Sequence, residues 1–170
     1  TPSDVDSDVF ALTVARYLSS DGVTTVKNNV VEQGSVCVTC IGSQMGKTVI
    51  APYKSVTNQQ LNSIVLAKQS YRNYVFMNLR LRREELFNLG SSGSTMPILN
   101  KSSFEGLNTL KPTELVLNEF SKVTEKLIDK ILLGSHQNEE LSKVRDTLLP
   151  KLISGELQLP AESIKAEVSA

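Results

Sequence analysis

The stretch Gly42-Ser43-Gln44-Met45-Gly46-Lys47-Thr48 has the residue types of a phosphate-binding loop and follows a strand-like run. A loop of that kind wraps phosphate oxygens with successive backbone N–H groups and feeds the N-terminus of a helix. Here three residues separate the glycines, one fewer than such a cradle needs, and the β-branched run Val49-Ile50-Ala51-Pro52 follows. Both departures exclude an ATPase loop. A tight, exposed turn carrying Ser43, Gln44 and Lys47 and no acid can instead hydrogen-bond base edges or phosphates.

Other chemistry is poorly supplied. Cys37 and Cys40 are the two cysteines, and His136 is the only histidine. On a strand the two thiols face opposite sides. A structural zinc needs about four ligands, so no metal site is expected, and free buried thiols of a cytosolic protein are the plainer reading. A Ser–His or Cys–His pair would have to recruit His136, which falls in a helical stretch and reads as a solvated helix residue. The central stretch holds no paired carboxylates, and no Asn-Pro-Pro-aromatic methyltransferase motif occurs. No catalytic residue is expected.

The 170 residues carry zero net charge, which argues against a generic polyanion binder, but the charges are unevenly placed. From Gln33 to Arg83 there is no Asp or Glu, while Lys47, Lys54, Lys68, Arg72, Arg80, Arg82 and Arg83 all fall there. A second acid-free run, Leu86 to Phe104, adds Lys101. The acids gather in Asp4, Asp6 and Asp8 and along the C-terminal third. A locally basic segment on a neutral chain is the electrostatic footprint of phosphate-backbone contact; the plainer alternative is a scatter of solvated cations.

The elements that must position these residues are mixed. Residues 23–26, 35–41, 48–51 and 61–66 are β-branched and strand-like. Asp21-Gly22, Gln33-Gly34, Gly42-Ser43 and Ala51-Pro52 separate them as turns. Tyr71, Val75, Leu79 and Leu86 predict a helix over 71–89, with Gly90 as its C-cap. Gly90-Ser91-Ser92-Gly93-Ser94-Thr95 is a polar loop, and Met96-Pro97-Ile98-Leu99 returns the chain to the core. No apolar run is long enough to span a membrane. The start, Thr1-Pro2-Ser3-Asp4, has neither Met nor a basic-then-apolar signal, the pattern of a fragment whose true start has been removed.

Residues 113–153 read as one amphipathic helix, about 60 Å long at 1.5 Å per residue. Thr113 is its expected N-cap, with Glu114 in the first turn. Phe120, Leu127, Gly134, Leu141 and Leu148 recur every seven residues, and Ile131, Asn138, Arg145 and Leu152 form a companion track. The four-three spacing is that of a coiled-coil seam. The phase passes through Gly134-Ser135-His136 without a stutter, which predicts a continuous helix. Asn138 and Arg145 in the seam would fix register at a cost in stability. Pro150 can kink the last turn, and Ser154-Gly155 closes it. Together these features describe an α+β protein: a β-rich globular domain at 1–110, a long helix for spacing or dimerisation at 111–157, and a tail at 158–170 that is expected to be disordered.

Three stretches in order resemble the specificity subunit of bacterial type I restriction–modification enzymes. They are Gly34 through Lys47 continuing to Thr57-Asn58-Gln59-Gln60-Leu61-Asn62; Gly90 through Ser102; and Leu141-Ser142-Lys143-Val144-Arg145-Asp146-Thr147-Leu148-Leu149-Pro150-Lys151-Leu152-Ile153-Ser154-Gly155-Glu156-Leu157. The third is the most specific. The resemblance implies a non-catalytic target-recognition domain that reads one half of a bipartite DNA sequence in the major groove. It implies a conserved helix that pairs antiparallel with another as a ruler between half-sites. It further implies modification subunits that bind S-adenosylmethionine, restriction subunits that use ATP and Mg, no cofactor on this chain, and a place in the bacterial cytoplasm. The chain matches one recognition domain and one helix, as the C-terminal half of a longer subunit or a natural half-length one.

With that resemblance, Ser43, Gln44, Lys47, Lys54, Asn58, Gln59, Gln60, Lys68, Arg72, Ser91, Ser92, Ser94 and Lys101 become the candidate contacts to double-stranded DNA. The four amides can read adenine by paired hydrogen bonds, although Asn58 and Gln59 could equally cap a turn. The three serines suit phosphate contact. Asn100 reads as a structural turn residue, and Glu84 and Glu85 suggest local pairing for Arg80, Arg82 and Arg83. The seam residues Phe120, Leu127, Ile131, Gly134, Leu141, Arg145, Leu148 and Leu152 would bind the other half of the subunit or a second copy. The rival reading is a helical oligomerisation or adaptor module whose basic domain binds protein.

Overall fold

The N-terminal segment departs from the propensity of its residues. Val23-Thr24-Thr25, expected in a strand, lies in helix α1 (Ser20–Thr25). The Ser19 hydroxyl accepts from the Gly22 N–H at 3.2 Å, and Thr24 and Thr25 donate to the Asp21 and Gly22 carbonyls. A capped first turn with Asp21 in it outweighs β propensity in a segment that pairs with no strand among the described residues. The structure is a computed structural model that describes residues 1–6, 8–91 and 97–158.

Among the described residues five short strands follow: β1 (Val30–Val31), β2 (Val36–Thr39), β3 (Thr48–Ile50), β4 (Ser55–Val56) and β5 (Leu61–Ile64). They make two antiparallel sheets, β1-β4 and β3-β2-β5, with Val36 opposite both Ile50 and Ile64 in the second. The central strand β2 is buried on both faces. Val36, Val38 and Cys40 join Ile50, Phe76, Leu79, Leu86 and Leu99 in one core, while Cys37 and Val49 join Val5, Val31 and Ala51 in another. The two cysteines thus sit on opposite faces as free, buried thiols. Each buried valine of β2 contributes about 1.5–3 kcal/mol.

The helix expected over 71–89 is two: α2 (Arg72–Leu81) and α3 (Arg83–Ser91). They break at Arg82, whose backbone leaves the helical region at φ −95°, ψ 18°. Its guanidinium is held by Glu85, Asn78, Thr109 and the Asn108 carbonyl. Gly90 is not a C-cap beyond the helix. It lies buried inside α3, where a Cβ would come within 2.6 Å of Met45 Cε and 2.9 Å of the Ile98 carbonyl carbon. Glycine is needed there for close approach, with no unusual φ. Beyond it, α4 (Lys101–Glu105) is capped by Asn100, whose side chain accepts from the Ser103 N–H at 2.9 Å.

The long helix α5 runs from Glu114 to Ile153, with Gly134 and Pro150 inside it. Thr113 caps it as expected, its hydroxyl accepting from Val116 N–H. The chain divides into two compact units, Thr1–Leu132 and Leu133–Ala170. In the first, Leu117 and Ile128 are buried, Thr124 accepts from the Asn73 side chain at 3.0 Å, and Phe120 meets Tyr74 edge-on. In the second, the helix ends in a turn at Gly155 with φ +76°. Among the described residues, no helix is long and apolar enough to cross a membrane.

Candidate nucleic-acid interface

The turn after β2 is held from within. Thr39, fully buried, donates from Oγ1 to the Gln44 carbonyl at 2.6 Å and accepts from the Lys47 N–H at 3.0 Å. Met45 N–H bonds to the Gly42 carbonyl and Gly46 N–H to that of Thr39. The N–H groups of 45, 46 and 47 are therefore spent inside the turn, and β3 rather than a helix follows. A phosphate cradle is excluded on both counts. Gly42 and Gly46 take φ of +78° and +84°, which favours glycine at both. Met45 is a buried plug against Gly90, whereas Ser43 and Gln44 are exposed.

A second turn closes on the same strand end. Gln60 donates no side-chain anchor to the core, but its carbonyl accepts from Cys40 N–H at 2.9 Å. Asn58 spans this turn: its Oδ1 accepts from Gln60 N–H at 3.1 Å and its Nδ2 donates to Gln60 Oε1 at 3.2 Å. The turn-capping reading of Asn58 is the one its bonds support. Gln59 and Gln60 are exposed. Segment 97–100 lies alongside, through Gly42 N–H to Pro97 carbonyl, Leu99 N–H to Cys40 carbonyl and Asn62 Nδ2 to Leu99 carbonyl. Lys101 follows that segment directly, exposed and 3.6 Å from Glu105. The segment also bonds back to α3, through Ile98 N–H to the Gly90 carbonyl, next to Ser91, whose hydroxyl donates to Phe87 carbonyl. The C-terminal end of β2 thus gathers Ser43, Gln44, Gln59, Gln60 and Lys101, with Ser91 close by. Ser92 and Ser94 lie outside the described residues.

Arg83 belongs with this group. Its backbone carbonyl and Cγ lie 2.9 and 3.0 Å from where a Gly46 Cβ would stand, so its helix abuts the turn that presents Gln44. Its side chain is exposed. Glu84 and Glu85 suggested local pairing for the three arginines, but Glu85 pairs with Arg82 at 2.6 Å. Arg80 stacks over Phe76 and donates to the Asp8 carbonyl. Only the break between α2 and α3 separates Arg82 from Arg83, and sequence periodicity gave no sign of it.

The remaining cations stand elsewhere, each beside an acid. Lys54 pairs with Glu32 at 2.9 Å and Lys68 with Glu114 at 3.2 Å. Arg72 lies 3.8 Å from Asp129 of α5 and 2.9 Å from Asn73 Oδ1. Lys47 turns away from its turn, toward Asp6 at 3.7 Å and the Val5 carbonyl. Lys54 and Lys68 fall past the ends of β3 and β5, at the N-terminal end of β2. The acid-free run is thus matched in space by acids from outside it. Exposed pairs of this kind contribute only about 0–1 kcal/mol each.

Beside β5 lies an open groove of about 670 Å³, whose walls include Asn28, Asn58, Asn62, Asn78, Lys101 and Phe104. The cysteines offer no nucleophile, since burial pushes both thiols up from their ordinary value. Among the described residues no three His, Cys, Asp or Glu side chains gather as a metal site.

The helix-pairing candidates divide by unit. In the first, Phe120 is turned to Tyr74, while Leu127 and Ile131 are exposed. In the second, Leu141, Leu148 and Leu152 are exposed, together with Val144, Leu149 and Ile153. Arg145 is exposed and paired with Asp146 at 2.7 Å. A Cβ on Gly134 would meet nothing within 4 Å, so no contact among the described residues requires glycine there.

Residues 8–109 match the family described as the type I restriction modification DNA specificity domain. The chain belongs to this family. The matched span contains both turns, both ends of the three-stranded sheet and every candidate DNA contact. The chain is similar to the HindI type I restriction enzyme specificity subunit of Haemophilus influenzae, 29% identical over 156 residues, which is 91% of this chain and 34% of that protein. It is also similar to the MjaIX type I specificity subunit of Methanocaldococcus jannaschii, 31% identical over 111 residues, 65% of this chain and 26% of that protein. The chain spans about a third or less of the length of these curated relatives.

Proposed function

We propose that this chain recognises DNA sequence as part of a type I restriction–modification specificity subunit, reading one half of a bipartite site from the C-terminal end of β2. The observation that carries this reading is the pair of turns, 42–47 and 58–60, bonded to the same strand end and holding Gln44, Gln59 and Gln60 outward. Amides on a rigid base can form paired hydrogen bonds to adenine, which needs fixed direction more than charge. Ser43, Ser91, Arg83 and Lys101 would supply phosphate contacts around them. Lys47, Lys54, Lys68 and Arg72 would reach the backbone only by leaving their acids.

On this reading the chain performs no chemistry. S-adenosylmethionine, ATP and Mg would be bound by the modification and restriction subunits that it scaffolds. The exposed apolar residues of α5 would pair antiparallel with the helix of the other half of the subunit, or of a second copy, with Gly134 allowing close approach. The test is binding of the full chain to duplexes carrying or lacking the half-site methylated by the parent enzyme, across a salt series. Preference for the half-site, with affinity falling as salt rises, is the expected result. Equal affinity for both duplexes would sink the proposal. The adaptor reading draws on the acids that offset the domain's cations; it predicts binding to protein, with little salt dependence and no binding to duplex.

A further inference from the structure

The acids beside Lys54 and Lys68 come from two separate elements and converge on one patch. Glu32 follows β1, and Glu114 opens α5. All four side chains are 58–64% exposed. The pairs are neighbours, since Gln69, next to Lys68, donates from Nε2 to the carbonyl of Gln33, next to Glu32, at 3.3 Å. The same glutamine amide lies over Gly34, where a Cβ would be 2.5 Å from its Oε1. Exposed ion pairs add little to folding, so stability gives small reason for this arrangement.

We propose that Glu32 and Glu114 are specificity-determining residues: they mask Lys54 and Lys68 from the phosphate backbone and confine duplex binding to the amide-bearing end of the sheet. The inference rests on the DNA-recognition reading above. Sequence-independent affinity grows with the number of phosphates that cations neutralise, each releasing counterions. A lysine beside a carboxylate offers little net charge, and an approaching phosphate meets the carboxylate's repulsion within the screening distance. Two masked lysines lower affinity for arbitrary sequence while leaving base contacts at the far end untouched. The contrast between target and other DNA widens accordingly.

The test uses the full chain with Glu32→Gln and Glu114→Gln combined, against wild type and Glu140→Gln. Glu140 pairs with Lys143 in the second unit, so neutralising it moves net charge in the same direction without freeing an interface lysine. Two such controls combined, Glu139→Gln with Glu140→Gln, equal the charge change of the test variant and release Lys143, a lysine of the second unit that is no part of the patch. Fluorescence anisotropy with a short duplex of arbitrary sequence is read across a salt series, and circular dichroism checks folding. The masked-lysine variant should bind about 3–10-fold more tightly at low salt, and the slope of log K against log salt should steepen by up to about 0.9 per lysine freed. The controls should stay near wild type. An equal gain in the Glu139/Glu140 control, or no change in the test variant, overturns the masking while the DNA reading stands. Loss of all salt-dependent duplex binding in wild type and variants alike overturns both.

Discussion

The two ends of the β3-β2-β5 sheet solve opposite problems with similar exposure. At the C-terminal end of β2, the outward groups are mainly neutral amides and hydroxyls on turns bonded to the strand. At the N-terminal end they are lysines, each with a carboxylate of its own. Neutral amides have direction without a net field, so they discriminate by geometry. Paired charges have a field that cancels a few ångströms away. On the proposed reading, a duplex would be offered shape at one end and near-neutrality at the other. The acid-free run alone would have suggested a broad attractive surface.

The comparison breaks most severely if the amide-bearing end loses its anchor. Met45→Ala removes a fully buried side chain beneath the first turn and should cost about 2–5 kcal/mol. Urea denaturation measures it, and an unchanged midpoint would show that the turn is held by its hydrogen bonds alone. Gln44→Ala should leave stability within about 0.5 kcal/mol but reduce discrimination between the half-site and a one-base variant by about 1–3 kcal/mol. Anisotropy with the two duplexes reads this, and equal discrimination would move the reading function elsewhere on the sheet end. Thr39→Val keeps shape but deprives the Gln44 carbonyl and Lys47 N–H of a buried partner. A loss of about 1–2 kcal/mol is expected, checked by the same denaturation. Lys68→Ala at the opposite end should shift stability by less than about 1 kcal/mol; a larger loss would mean that its pair with Glu114 holds the fold.

The central sheet and the long helix were legible because their signals are periodic. Residues 35–41 carry enough apolar, β-branched side chains to fill both faces of β2, and the heptads continue through Gly134, as does α5. Thr113, Asn100 and Gly155 also act as the residue types suggest. Charge was less legible. An acid-free run describes neighbours in sequence, and Lys54, Lys68 and Arg72 take their acids from residues 32, 114 and 129. The break at Arg82 depends on contacts to Asn108 and Thr109, distant in sequence, so a helical period could not disclose it or the freeing of Arg83 from its neighbours. The anchoring of Gln44 by Thr39 was hidden for a simpler reason: a threonine in a strand ordinarily reads as propensity alone.

Within turn 42–47, the positions that hold the fold and the positions that meet solvent are different residues. Thr39 and Met45, with Gly42 and Gly46, account for its shape, while the side chains of Ser43 and Gln44 take no part in it. Replacement at 43 or 44 therefore changes what the domain displays without reopening the question of whether it folds. On the proposed reading, a lineage could exchange letters at these two sites one substitution at a time while the groups that hold the turn stay in place.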